Sequence, residues 1–219
     1  MPLRVLIVDD HHAFADSLAI AIDVQGDLEC IGTAGTVDEA LAHARRNPPD
    51  VVLMDVDLPG ADGLEGTVRL KELCPEAKVL ILTGRTDLGV VGRAADAGAS
   101  GFLPKESRVA DVIESIRSAG QGQMLIDART LSLILASTQR AQQKAARRPA
   151  VDLTPRELSV LALMGEGMDP KAIAERFTLS IHTSRGYVKT ILAKLGARSQ
   201  LEAVVKAMRL GLIALPTDP

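Results

Sequence analysis

Val51-Val52-Leu53-Met54-Asp55-Val56-Asp57-Leu58-Pro59-Gly60 is the stretch on which the fold of this 219-residue chain turns. Four consecutive apolar residues without polar alternation suit a strand buried on both faces, the habit of parallel sheets covered by helices. An aspartate closes the run, and Pro-Gly turns the chain shortly after it. Similar short apolar runs lie outward on either side, at residues 3–8, 28–33, 79–82 and 100–103. The intervening segments carry helical spacing. Thr36-Val37-Asp38-Glu39 reads as a capping box, and Ser107 is expected to cap a helix bearing Val109, Val112, Ile113 and Ile116. Five βα units in about 120 residues predict an α/β fold, a five-stranded doubly wound parallel sheet. Its ligands belong at the carboxyl ends of the strands.

Further along, the character changes. Residues 127–138 are expected to form a helix on Leu131, Ile134 and Leu135, and residues 139–149 are polar and basic, reading as a linker. The last 70 or so residues carry no strand pattern. Thr154-Pro155-Arg156-Glu157 joins a capping box to proline at the first helical position, and Asp169-Pro170 repeats the cap-plus-proline signal. A third helix runs from about residue 181 to 195 and is closed by Gly196; Ser199-Gln200-Leu201-Glu202 starts a fourth. The expected organisation is therefore an α/β domain over residues 1–122, a partly helical linker over 123–149, and a small all-α four-helix domain over 150–219.

The net charge of −3 conceals a division. Residues 1–125 hold 11 Lys and Arg against 20 Asp and Glu, a balance of −9, whereas residues 126–219 hold 14 against 8, a balance of +6. Such asymmetry suggests two domains with different partners. The few aromatic residues, Phe14, Phe102, Phe177 and Tyr187, argue against recognition of single strands by stacking. Charged residues at 24% and apolar residues at 47% exclude a disordered chain, and the apolar runs are far short of a membrane span. No secretory signal is expected, and Cys30 and Cys74 have neither disulfide-framework nor zinc spacing, so a reduced, cytoplasmic setting is expected.

Asp9 and Asp10 end the first strand and Asp55 the third, and in a doubly wound sheet those ends are neighbours. Three carboxylates in one crevice repel one another unless a cation neutralises them, and oxygen ligands suit Mg²⁺. Thr83 and Lys105 fall at the same edge, after the fourth and fifth strands. Together these are the parts of a phosphoryl-transfer site, with Asp55 as a nucleophile attacking in line.

Val8-Asp9-Asp10-His11, residues 53–60, Leu82-Thr83-Gly84 and Gly101-Phe102-Leu103-Pro104-Lys105 resemble, in order and spacing, the motifs of response-regulator receiver domains, which share a flavodoxin-like sheet. The resemblance implies that Asp55 accepts the phosphoryl group from a sensor histidine kinase. It implies that Asp9, Asp10, Asp55 and the backbone carbonyl of Asp57 hold Mg²⁺, that Lys105 contacts the acylphosphate, and that Thr83 and Phe102 form the switch pair. Pro104 departs from the family pattern and is expected to remove one ladder donor and shift how Lys105 is presented. Gly84 stands where alanine or serine is common.

In the third helix of the C-terminal domain, Val188, Ile191, Leu192 and Leu195 form an inward stripe that leaves Arg185 and Lys189 one turn apart outside it. With the preceding helix this is a helix-turn-helix, whose second helix enters the major groove of double-stranded DNA. Leu153-Thr154-Pro155-Arg156-Glu157-Leu158, residues 172–176, residues 179–183 and residues 188–196 resemble the LuxR-type DNA-binding domain, so the whole chain resembles a NarL/FixJ-class response regulator. That resemblance places Arg185, Gly186 and Lys189 toward the bases and Thr183, Tyr187 and Lys194 near the backbone, with Ser184 where valine is usual. Val204 and Met208 are expected to serve a homodimer, which binds inverted-repeat DNA. Two alternatives share some of these features. One is the same fold acting as a regulator without phosphorylation. The other is a dehalogenase-like phosphatase reading Asp55-Val56-Asp57 as its Asp-x-Asp motif, although that motif belongs on a first strand.

Overall fold

The computed structural model describes residues 1–84, 88–126 and 151–213. Its first domain is a five-stranded parallel sheet of β1 (Leu3–Val8), β2 (Leu28–Ala34), β3 (Val51–Asp55), β4 (Lys78–Thr83) and β5 (Gly101–Pro104) in the order β2-β1-β3-β4-β5. The chain reverses its direction of travel across the sheet between β1 and β3, so the crevice beyond their carboxyl ends is the natural binding site. Strands buried on both faces explain the unbroken apolar runs: all five residues of β3 are buried.

Helices α2 (Val37–Arg46), α3 (Gly63–Leu73) and α4 (Leu88–Ala97) cover one face, packing Leu41 and Leu70 against Leu6, Val52, Met54 and Ile81. Helices α1 (His12–Asp23) and α5 (Val109–Gln121) cover the other, where Leu18, Ile22 and Ile116 meet Ile7, Leu53 and Leu80. Alternate residues of each strand thus feed opposite cores.

Sheet pairing continues past residue 122. Leu125 bridges Gly101, and the Phe102 N–H donates to the Leu125 carbonyl at 3.1 Å. A Cβ on Gly101 would lie 2.4 Å from the Leu125 Cβ, so glycine is what permits this approach.

The helix starts need two corrections. Thr36 Oγ1 accepts from the Glu39 N–H at 3.3 Å, but the Glu39 carboxylate accepts from Gly35 N–H at 2.8 Å, not from the cap residue itself. Ser107 does not cap α5; Arg108 is the N-cap without a side-chain bond, and Val109 is 51% exposed rather than part of the inward stripe. The Ser107 N–H donates to the Pro104 carbonyl at 3.0 Å, which places Ser107 in the preceding turn. The helix and linker expected at residues 127–149 lie outside the described residues.

The second domain comprises α6 (Pro155–Gly165), α7 (Pro170–Phe177), α8 (Ile181–Leu195) and α9 (Gln200–Arg209), with bounds close to the reading above. At Thr154 the capping box is complete: the Glu157 carboxylate accepts from Thr154 N–H at 2.7 Å and Thr154 Oγ1 from Glu157 N–H at 3.3 Å. Thr178 closes α7 in the left-handed region with φ of 55°, and Gly196 closes α8 at 59°. Val160, Leu161, Ile173, Ile191 and Val205 form the core, which Val91 and Ala95 of α4 also join. That shared core docks the two domains.

Candidate functional sites

The strand ends converge as the topology requires. Asp9 and Asp55 are each 1% exposed, and Lys105 Nζ lies 2.8 Å from Asp9 Oδ2 and 2.6 Å from Asp55 Oδ2. The same ammonium sits 5.8 Å from the Phe14 ring centroid. Burial pushes the Asp55 carboxyl above its usual pKa, opposed by the hydrogen bond from Lys105. Burial works against the charged form of Lys105 as well, yet hydrogen bonds to Asp55 and Asp9 raise its pKa overall.

Ligand atoms of Asp9, Asp10, His11 and Asp55 all lie within 4.8 Å of one another. Asp10 Oδ1 is buried and makes no aligned hydrogen bond, although His11 Nδ1 stands beside it, and one ammonium does not balance three carboxylates. A donor set this rich in carboxylate oxygens fits a hard divalent cation. Asp57 stays at the rim, exposed, its N–H donating to Asp55 Oδ1 at 3.3 Å.

Two contributors were not singled out from the sequence. His11 Nδ1 stands 3.1 Å from Asp9 Oδ1 and 3.0 Å from Asp10 Oδ1; its place directly after the aspartate pair was the available signal. Gly63 opens α3, and a Cβ there would fall 1.8 Å from the Asp55 carbonyl oxygen. The cap-plus-glycine pair Asp62-Gly63 marks a helix start, but nothing local reveals the close approach.

Pro104 does not disturb the lysine. Lys105 N–H donates to the Thr83 carbonyl at 3.0 Å, so the β4–β5 ladder continues past the proline, whose missing donor would have pointed away from β4. Thr83 is buried at the end of β4. Phe102 is half-buried and packs against two apolar clusters, the α2–α4 face of the sheet and the core of the helical domain.

On α8, Thr183, Arg185, Gly186 and Lys189 are exposed, and a Cβ on Gly186 would meet open space. Tyr187 is half-buried against the domain core. Lys194 is not a free cation: its Nζ donates to Glu157 Oε2 at 2.8 Å. Ser184 is fully buried and its Oγ has no hydrogen-bond partner. Val204, expected at a dimer contact, is wholly buried in the core that includes α4 residues, whereas Met208 is half-buried. In this arrangement the Val204 side chain cannot meet a second copy.

The domains are held face to face. Ser199 Oγ donates to the Ala99 carbonyl at 2.7 Å, Gln123 Nε2 to Asp169 Oδ2 at 3.1 Å, and Arg209 Nη1 to Asp96 Oδ1 at 2.6 Å. Arg185 and Lys189 line a cleft whose opposite wall carries Lys71 and Lys78 of the first domain.

Comparison with known proteins agrees with both halves. Residues 5–117 match the response regulator receiver domain, and residues 151–207 match the luxR family of bacterial regulatory proteins. The chain is 33% identical over 211 residues to the transcriptional regulatory protein LiaR of Bacillus subtilis, covering 96% of this chain and 99% of that protein. It is 33% identical over 216 residues to the DNA-binding transcriptional activator DevR/DosR of Mycobacterium tuberculosis, covering 99% of each. Among solved structures, a LuxR-family two-component response regulator from Aurantimonas sp. SI85-9A1 matches with TM-score 0.57 and 27% identity over 65% of this chain and 100% of that one. The RcsB response regulator of Salmonella typhimurium, at 20% identity and TM-score 0.55 over 93% and 96% of the two chains, shares the fold.

Proposed function

The chain belongs to the two-component response regulators that join a receiver domain to a LuxR-type DNA-binding domain, and from that membership we propose a transcription regulator switched by phosphorylation of Asp55. The observation that carries this reading is the buried pair of Asp9 and Asp55 bridged by Lys105, with Asp10 beside it. A sensor histidine kinase supplies the phosphoryl group. The Asp55 carboxylate attacks phosphorus in line, an O–P bond forms, and the P–N bond to the kinase imidazole breaks. Burial opposes ionisation of Asp55, so the Lys105 hydrogen bond keeps the nucleophile available. Lys105 then exchanges its Asp55 contact for a phosphoryl oxygen.

Asp10, Asp55 and the Asp57 carbonyl, with Asp9 behind them, would hold Mg²⁺. When bound, the ion supplies a Lewis acid that neutralises the carboxylates and the phosphoryl oxygens. The family consists of transcription regulators, not enzymes, and the chemistry proposed is confined to making and losing the chain's own acylphosphate. The Lys105 contacts with Asp9 and Asp55 support this reading over that of a phosphorylation-independent regulator.

Added charge at Asp55 is read by Thr83 and passed to Phe102, which touches the helical domain as well as the sheet. That contact gives the switch a route to the interface. Release of α9 from α4 frees the helix of Val204 and Met208 for a second copy and uncovers Arg185 and Lys189 for double-stranded DNA. Gly186 leaves the backbone of α8 bare, and Thr183 and Tyr187 flank it. A two-fold dimer then requires inverted half-sites. Lys194 serves this surface through its tie to Glu157 and not as an unpaired phosphate contact. Among the described residues no helix is long and apolar enough to cross a membrane, and the kinase and DNA partners place the regulator in the cytoplasm.

The test is incubation with a small phosphodonor and Mg²⁺, followed by intact-mass measurement. Wild type gains about 80 Da, one phosphoryl group, and Asp55→Asn gains nothing. Absence of the adduct in wild type overturns the switch.

A further inference from the structure

The cleft between the domains encloses about 590 Å³. Five cationic side chains line it: Lys71 and Lys78 from the receiver, Arg185 and Lys189 from α8, and Arg198 at the entry to α9; Glu76 is the one carboxylate in the lining. Among the described residues, none of the five is ion-paired to a carboxylate. Lys71 is only 4% exposed, and its Nζ donates to the carbonyls of Pro75 and Ala77. Burial, aided by Lys78 and opposed by Glu76 and Glu202, lowers its pKa to about 8, and burial lowers that of Lys78 too, opposed by Glu76 and aided by Arg185 across the cleft.

Like charges from two domains therefore converge with too little negative charge between them. Gln200, at the positive end of the α9 dipole, lines the same space. A duplex, whose major groove alone is about 12 Å wide, cannot enter a cleft of this volume. A monocarboxylate carries too little charge for five cations. A chain of two or three phosphates matches both size and charge, and the apolar Val188 and Leu192 on one wall leave a place for a base.

We propose that this cleft binds a small polyphosphate, inorganic or carried by a nucleoside, and that the anion clamps the two domains in the closed arrangement. Because Arg185 and Lys189 are shared, the anion and DNA exclude each other. The inference depends on the closed arrangement and not on phosphorylation of Asp55.

The test is titration calorimetry of the full chain with pyrophosphate, tripolyphosphate and GDP. It is run in metal-free buffer, with ionic strength held constant by potassium chloride. Saturable one-to-one binding is expected. Lys78→Gln, on the edge of the sheet opposite the carboxylates, weakens it by at least about tenfold, the size of a lost charge-assisted hydrogen bond. Arg198→Gln, on the facing wall, does the same and guards against a fold defect in the first variant. Equal affinity for GDP and pyrophosphate identifies the phosphate chain as the whole ligand; tighter GDP identifies a nucleotide, and either supports the site. Heats that do not saturate at millimolar anion overturn it. Binding undiminished in both variants overturns it too, because the anion then sits on the outer face of α8. No DNA or phosphodonor is present, so failure here leaves the regulator reading standing, and the mass test can fail while this one succeeds.

Discussion

Reversing the charge of Asp96 is expected to open the molecule. Asp96 at the end of α4 faces Arg209 at the end of α9, with Nη1 to Oδ1 at 2.6 Å and Nη2 to Oδ2 at 3.4 Å. The arginine side chain is 18% exposed and the aspartate 49%, so water screens the pair on one side. Half-exposed ion pairs contribute about 0.2–1 kcal/mol, and the forked contact places this one near the upper end. Arg209 Nε is buried without a partner, which keeps it from exceeding that range. In Asp96→Arg the attraction is lost and a repulsion of similar size replaces it, about 2 kcal/mol in all. That corresponds to a shift of roughly 30-fold in the closed-to-open ratio.

Apparent DNA affinity rises as the competent fraction rises, to at most the same factor. Small-angle scattering supplies an independent readout, because the radius of gyration grows when the domains part. Arg209→Asp alone opens the chain too, and combining the two reversals restores the compact radius. Unchanged scattering and unchanged DNA affinity in Asp96→Arg would refute the idea that this contact holds the domains together. Failure of the double variant to close again would assign the opening to some other disturbance.

Other expectations follow from single contacts. Ser184→Ala removes an unpartnered buried hydroxyl and gains helix propensity, so it stabilises the helical domain by about 1 kcal/mol in urea unfolding; destabilisation would mean the hydroxyl has a use in the fold. Gly63→Ala forces a methyl group onto the Asp55 carbonyl and should cost about 3 kcal/mol or displace Asp55, read as lower thermal stability together with slower phosphoryl acceptance. Lys71 has its folded pKa lowered to about 8, beneath the unfolded value, so the folded state binds fewer protons between the two and stability rises with pH there. Stability should climb by about 1 kcal/mol from pH 7 to 9, and Lys71→Met should abolish this component of the slope. Pro104→Ile should leave the rate of Asp55 phosphorylation within about twofold, since Lys105 is already bonded to Thr83 through its own N–H.

What could be read from the sequence was what is local. Parallel strands show themselves as apolar runs because both faces are buried, and the order of the runs brings Asp9, Asp10, Asp55, Thr83 and Lys105 to one edge. The α6 start was legible because Thr154, Pro155 and Glu157 act within one turn. At Thr36 and Ser199 the cap residues were read correctly, but the acidic side chain three residues on accepts from the N–H one residue before the cap: Glu39 from Gly35 and Glu202 from Arg198. Ser199 also donates across the interface to Ala99 while still accepting from Glu202 N–H. His11 and Gly63 escaped notice because their importance lies in what approaches them, and neither approach has a period or a spacing.

The docking of the domains shows the same limit most sharply. A −9 receiver and a +6 helical domain suggest electrostatic attraction, yet the surfaces that face across the cleft are Lys71 and Lys78 against Arg185 and Lys189. Net charge describes whole domains, whereas interaction energy falls off within about 8 Å at physiological salt and is decided by the nearest groups. Attraction comes from the α4–α9 side, where Val91 and Ala95 join the helical core and Ser199 and Arg209 bind across, and from Gln123, which lines the cleft and donates to Asp169. Closure is therefore held by these contacts and opposed by the like charges that face across the cleft. Gly98 permits the close approach of the domains on the α4–α9 side: its φ is +94°, and a Cβ there would come within 2.9 Å of the Arg198 Cβ. A local rearrangement at Phe102, which packs against both cores, acts on that balance of contacts and charges and so has a route to free α8.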